Sequence, residues 1–114
     1  MTVSVLGTDY TIAYSNGTEN AGLKENDGYT DTSTKEIFIN DMDYTEDDDM
    51  RKRDMKAYQR KVLRHEIVHA FFAESGLDGC GHSPDHVEHD EELVDWIAIQ
   101  GVKIYKAWES VGAV

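Results

Sequence analysis

The sequence predicts an α+β domain in which a small antiparallel or mixed sheet from the N-terminal third packs on two long helices. Three observations predict it. The first forty residues alternate apolar and polar in short runs broken by Gly and Asn. No glycine or proline then appears between Gly28 and Gly76, and apolar residues recur at helical steps. After a Gly-rich break, three- and four-residue apolar spacing returns from about 86 to 110. At 114 residues the chain reads as one domain, 1–114, whose apolar residues concentrate between about 58 and 111, where the core is expected.

Each element has a local reason. "TVSVLG" and "YTIAY" alternate around "GTD", so residues 2–14 read as a hairpin. "SNGTENAGLKENDG" is polar and Gly/Asn-rich, a loop. Tyr29 to Asp31 and Glu36 to Asn40 read as two short strands joined by a turn at Thr32 to Lys35, the second carrying the apolar run Ile37, Phe38 and Ile39. Thr45 followed by Glu46, Asp47 and Asp48 is a helix cap with an acidic first turn, so a helix is expected from about 46 to 75, ended by Gly76. The break holds Gly76, Gly79, Gly81 and the only proline, Pro84. Ser83 or Asp85 then caps the second helix, whose stripe runs through Leu93, Val94, Ile97, Ala98, Gly101, Ile104, Tyr105 and Trp108. Trp96 and Trp108 are expected in the core.

Charge and composition narrow the function. The net charge is −12, from 23 acidic and 11 basic residues, which disfavours nucleic acid and anionic membrane as direct partners. The basic run Arg51, Lys52, Arg53, Lys56, Arg60, Lys61 and Arg64 is expected as a solvated helix face. No stretch has the length and continuity of a membrane span, and none at the start reads as a signal peptide. The one cysteine, Cys80, forms no intrachain disulfide and reads as an inert thiol. A cytoplasmic protein is expected.

Chemistry is concentrated in "LRHEIVHAFF". His65, Glu66 and His69 form H-E-x-x-H on a predicted helix. Residues four apart share a helix face, so the two imidazoles converge on one ion, and zinc accepts neutral imidazole nitrogens. Glu66 is turned by about 100° and reaches a water rather than the ion, the place of a general base. Leu63, Ile67, Ala70 and Phe71, with Val68 and Phe72, make nearly the whole circumference apolar, so the helix is expected to be buried. Buried histidines and a glutamate cost several kcal/mol unless paired or coordinated.

A third ligand is expected on the second helix, because catalytic zinc sites keep three protein ligands and an open position. Glu91 borders the buried stripe and is the first candidate; Glu92, about 100° round the helix, is the alternative. Asp95, about 40° from Glu91, is placed to accept the free N–H of a ligating histidine.

H-E-x-x-H followed after about twenty residues by E-x-x-x-D, Glu91 to Asp95, resembles the gluzincin metallopeptidases, and more closely the small ImmA/IrrE-type metallopeptidases of bacteria, prophages and mobile elements. The likeness covers roughly residues 28 to 100. It implies a minimal zincin-like domain, one Zn2+ per chain, and hydrolysis of a protein or peptide substrate such as a repressor. It also implies substrate held as an added strand on a sheet edge, here expected at Glu36, Ile37, Phe38 and Ile39. His82, His86, Tyr29 and Tyr105 are candidate donors to the oxyanion, although His82, in a Gly-rich loop, reads first as a plain surface histidine; no role is assigned to His89. The alternatives to an enzyme are a non-catalytic zinc-binding protein and an acidic interaction module of a mobile element.

Overall fold

The computed structural model describes residues 1–44, 51–77, 90–111 and 113–114. Its order is β1 (Thr2–Val5), β2 (Thr8–Ser15), a 3-10 turn (Ala21–Leu23), β3 (Gly28–Asp31), β4 (Glu36–Asn40), α1 (Met55–Glu74) and α2 (Glu91–Ser110). The class is α+β, a small mixed sheet from the N-terminal part with two helices.

The hairpin turns at Leu6 and Gly7, both with positive φ (50° and 87°). This is the two-residue turn whose twist suits antiparallel strands, and it needs left-handed backbone at both positions. Thr8 and Asp9 belong to β2 instead of the turn. The strand order is β1-β2-β4-β3. β1 and β3 pair antiparallel with their neighbours, whereas β2 runs parallel to β4, with Ile12 opposite Ile37 and Tyr14 opposite Ile39. The parallel pair makes the sheet mixed and inserts β4 between β2 and β3. Glu36 to Ile39 therefore form an interior strand, hydrogen-bonded on both sides, and the edge expected there is found at β3.

Alternation selects the buried face. Tyr10 and Ile12 of β2 and Ile37 and Ile39 of β4 point to one side and are buried with Val5 and Met42 against Val62 and Ala70 of α1. Six of these eight core residues precede residue 43, so the core is built on the sheet and not on the C-terminal half. The apolar residues of the C-terminal half form helix surfaces only partly covered by the sheet.

α1 starts at Met55, later than the expected 46, because Asp54 takes a non-helical conformation and its carboxylate accepts the N–H of Ala57 at 2.9 Å. Residues 51–54 are not helical. The cap expected at Thr45 and its acidic turn lie outside the described residues. The helix ends at Ser75 and Gly76, the latter at φ 82°, as a left-handed terminating residue. Its end is tied to the sheet: the Tyr10 hydroxyl donates to Glu74 Oε1 at 2.7 Å and Lys35 Nζ approaches the same oxygen at 2.6 Å.

α2 starts at Glu91, not near 86, because Asp90 is extended and its carboxylate accepts from Leu93 N at 3.1 Å. The caps expected at Ser83 and Asp85 lie outside the described residues, as do Pro84 and Cys80. Only Val94 and Ala98 of α2 are buried; Trp96 and Trp108 are more than half exposed and are not core residues. α1 is likewise not buried all round: Val62, Glu66 and Ala70 face inward, while Phe71 is exposed. Among the described residues no helix is long and apolar enough to cross a membrane.

Candidate metal centre

α1 carries His65 and His69 one turn apart, and α2 brings Glu91 from its first turn to meet them. His65 Nε2 lies 2.9 Å from Glu91 Oε2, His69 Nε2 lies 3.3 Å from Glu91 Oε1, and the two Nε2 atoms are 3.2 Å apart. These are the separations a small tetrahedral ion requires: ligands at about 2.0–2.1 Å in tetrahedral array stand about 3.3 Å from one another. No other cluster of three such donors occurs among the described residues. Two neutral nitrogens and one carboxylate are also a donor set that zinc accepts. The residues fit the ion. The alternative ligand, Glu92, is exposed and does not join the cluster.

The surroundings follow from chain direction. Glu91 sits beside the exposed N–H groups of a helix start, where negative charge is favoured. It is largely exposed, and the imidazoles are half-buried, so the cluster opens to solvent on the α2 side. His65 turns Nε2 to the cluster and Nδ1 toward Asp95 Oδ1 at 3.4 Å. That contact is long, because Lys61 Nζ holds the same oxygen at 2.5 Å. Lys61 is the chief cause, ahead of His65, of an Asp95 carboxyl below the usual range.

Glu66 is the one buried charged side chain among the described residues, 6% exposed. Burial pushes its carboxyl above the ordinary range, offset in part by the Thr30 hydroxyl and the two imidazoles. Thr30 Oγ1 is 2.9 Å from both the Oε2 and the carbonyl oxygen of Glu66. Thr30 reaches it because it stands opposite Ile37, on the inward face of β3, at the free edge of the sheet. Gly28, on the same face, admits α1: a Cβ there would stand 3.0 Å from Val62 Cγ1. Between β3, α1 and the start of α2 lies a cleft of about 670 Å3, lined among others by Thr30, His65, Glu66, His69 and Glu91.

Two residues of this centre were not legible from the motif, Thr30 and Lys61. Lys61 stands four residues before His65 and so shares its helix face, a spacing that the sequence displays. Thr30 needed the strand register. Two candidate oxyanion donors lie among the described residues, Tyr29, which lines the cleft, and Tyr105, which does not. The Tyr29 hydroxyl donates to Asn20 Oδ1 at 2.9 Å and its ring stacks on Phe38, on the sheet face away from α1. Tyr105 stands fourteen residues beyond Glu91, about 21 Å along the helix axis at 1.5 Å per residue, and lines a different cavity. His82, His86 and His89 lie outside the described residues. Comparison of the chain with protein-family models, curated proteins and solved structures returned no match.

Proposed function

We propose that the protein is a zinc-dependent metallopeptidase, with one Zn2+ per chain held by His65, His69 and Glu91. The observation that carries the reading is the convergence of three ligand atoms from two helices, at the spacing of a tetrahedral shell, beside a buried carboxylate. A zinc ion held there would supply an acidified water and polarise a carbonyl. Glu66, buried beside the ligands, takes a proton from water and returns it to the leaving amine. Thr30 fixes which carboxylate oxygen is engaged. Asp95 orients His65 through Nδ1.

A peptide is held by strand addition, and the free edge of β3 borders the cleft that contains Glu66. β3 replaces Glu36 to Ile39 in that role. By the likeness to ImmA/IrrE-type enzymes, the substrate is a specific protein such as a repressor. The single cysteine fits a reducing compartment such as the cytoplasm.

The test is metal analysis joined to cleavage of a proteome-derived peptide library read by mass spectrometry. Expected are one zinc per chain and cleavage that stops with a chelator and in Glu66→Gln. Stoichiometric zinc with no peptide cut would return the protein to the non-catalytic reading.

A further inference from the structure

The face of α2 that is buried at Val94 and Ala98 continues at helical steps to Gly101, Tyr105 and Trp108. There it lies open: Tyr105 is 49% and Trp108 53% exposed. A groove of about 580 Å3 results between the helices, walled by Val68, Phe71, Phe72 and Val102 and floored by Ala98 and Gly101. It shares no residue with the metal cleft.

Two features define what would fill it. The walls between the rims are apolar, so an extended segment would bury backbone N–H and C=O groups without partners, whereas a helix satisfies its own. The rims are basic. Arg64 on α1 and Lys106 on α2 line the groove, and Arg60 stands one turn before Arg64 on the same face of α1. Among the described residues no carboxylate forms an ion pair with any of these three. Arg64 is held in place, its Nε donating to the Ala98 carbonyl at 2.6 Å. This basic rim occurs on a chain of net charge −12. A symmetric pairing of two copies through the groove would set the same cations face to face, which disfavours a second copy.

We infer that the α1–α2 groove docks an amphipathic helix of another protein, one whose apolar stripe is flanked by acidic residues. The floor at Ala98 and Gly101 lets that helix approach closely. The rim charges set its preference for acidic flanks.

The test uses the full chain and two synthetic eighteen-residue helices with one apolar stripe, flanked by Glu in one and by Lys in the other. Fluorescence anisotropy should show the Glu-flanked helix binding at least about tenfold more tightly, with affinity falling as salt rises. In Arg64→Glu/Lys106→Glu the order should reverse. Gly101→Phe should abolish binding while leaving zinc content unchanged, and there is room for the new side chain, since a Cβ at Gly101 meets no atom within 4 Å. The inference is overturned if both helices bind more weakly than about 1 mM, or if flank charge makes no difference. It is overturned in favour of a second copy if the chain sediments as a dimer that Gly101→Phe dissociates. Methyl groups of Val68 and Val102 already shielded from a soluble paramagnet in the monomeric chain would assign the groove to the chain's own segments instead.

Discussion

Thr30 Oγ1 on the edge strand stands 2.9 Å from Glu66 Oε2, so the proposed docking strand and the proposed base are one hydrogen bond apart. A hydrogen bond to a charged group contributes about 1.5–3 kcal/mol. Thr30→Val keeps the shape and removes the donor. Hydrolysis should fall about ten- to a hundredfold in kcat with KM little changed, and Thr30→Ser should recover most of it. Steady-state kinetics on one cleaved peptide checks this, with circular dichroism to show that the fold is kept.

Glu66→Gln should retain zinc and lose about 10²–10⁴-fold in rate. It also gives a pH signature without metal. Burial raises the folded carboxyl, so its favourable contribution is present below the unfolded value, about 4.3, and is lost as pH rises through the folded one. Urea midpoints of the metal-free wild type should therefore drop relative to Glu66→Gln as pH rises toward neutrality.

His65→Ala and His69→Ala should each abolish stoichiometric zinc, because two remaining donors cannot fill the protein's share of a three-ligand site. Glu91→Gln should weaken binding, and Glu92→Gln should leave it unchanged. Competition against a fluorescent chelator reads all four. In wild type, zinc should raise the thermal midpoint with concentration, and a chelator should reverse the rise.

Asp95→Asn should lower zinc affinity about 10–100-fold by replacing the anionic acceptor for His65 Nδ1 with a neutral amide oxygen. Lys61→Met should act in the opposite direction. It frees Asp95 from the nearer of its two partners and lets the carboxylate close its 3.4 Å gap to the imidazole. Equal zinc affinity in wild type and Lys61→Met would show that the lysine does not compete.

Glu74 receives both the Lys35 ammonium and the Tyr10 hydroxyl, which hold its carboxyl below the usual range, Lys35 contributing most. A lowered folded value means stabilisation present above the unfolded range and lost as pH falls through the folded value. Acid titrations followed by circular dichroism should show a shallower loss of stability in Glu74→Gln than in wild type.

The sequence made the centre readable where chemistry and helical spacing coincide. His65 and His69 share a face by spacing alone, and Glu91 was separated from Glu92 by angle around a helix. Strand neighbours were less readable. Nothing local in Glu36–Asn40 says that β2 will pair with it in parallel, because that pairing needs a crossover spanning residues 16–35, and the edge role went to the wrong strand. Thr30 was hidden for the same reason, since only its register opposite Ile37 turns it inward. Both helices start later than composition suggests because Asp54 and Asp90 each use a carboxylate to start a helix inside a stretch whose composition would also support one. Apolar content in the C-terminal half suggested a core and instead supplies an exposed groove.

α2 has only two fully buried side chains, Val94 and Ala98, and both lie near the end that bears Glu91. Its hold on the body is thus concentrated at one end, and an ion clasped by His65, His69 and Glu91 would act as a buckle there. Zinc loading should slow amide exchange in the first turns of α2 far more than in its last.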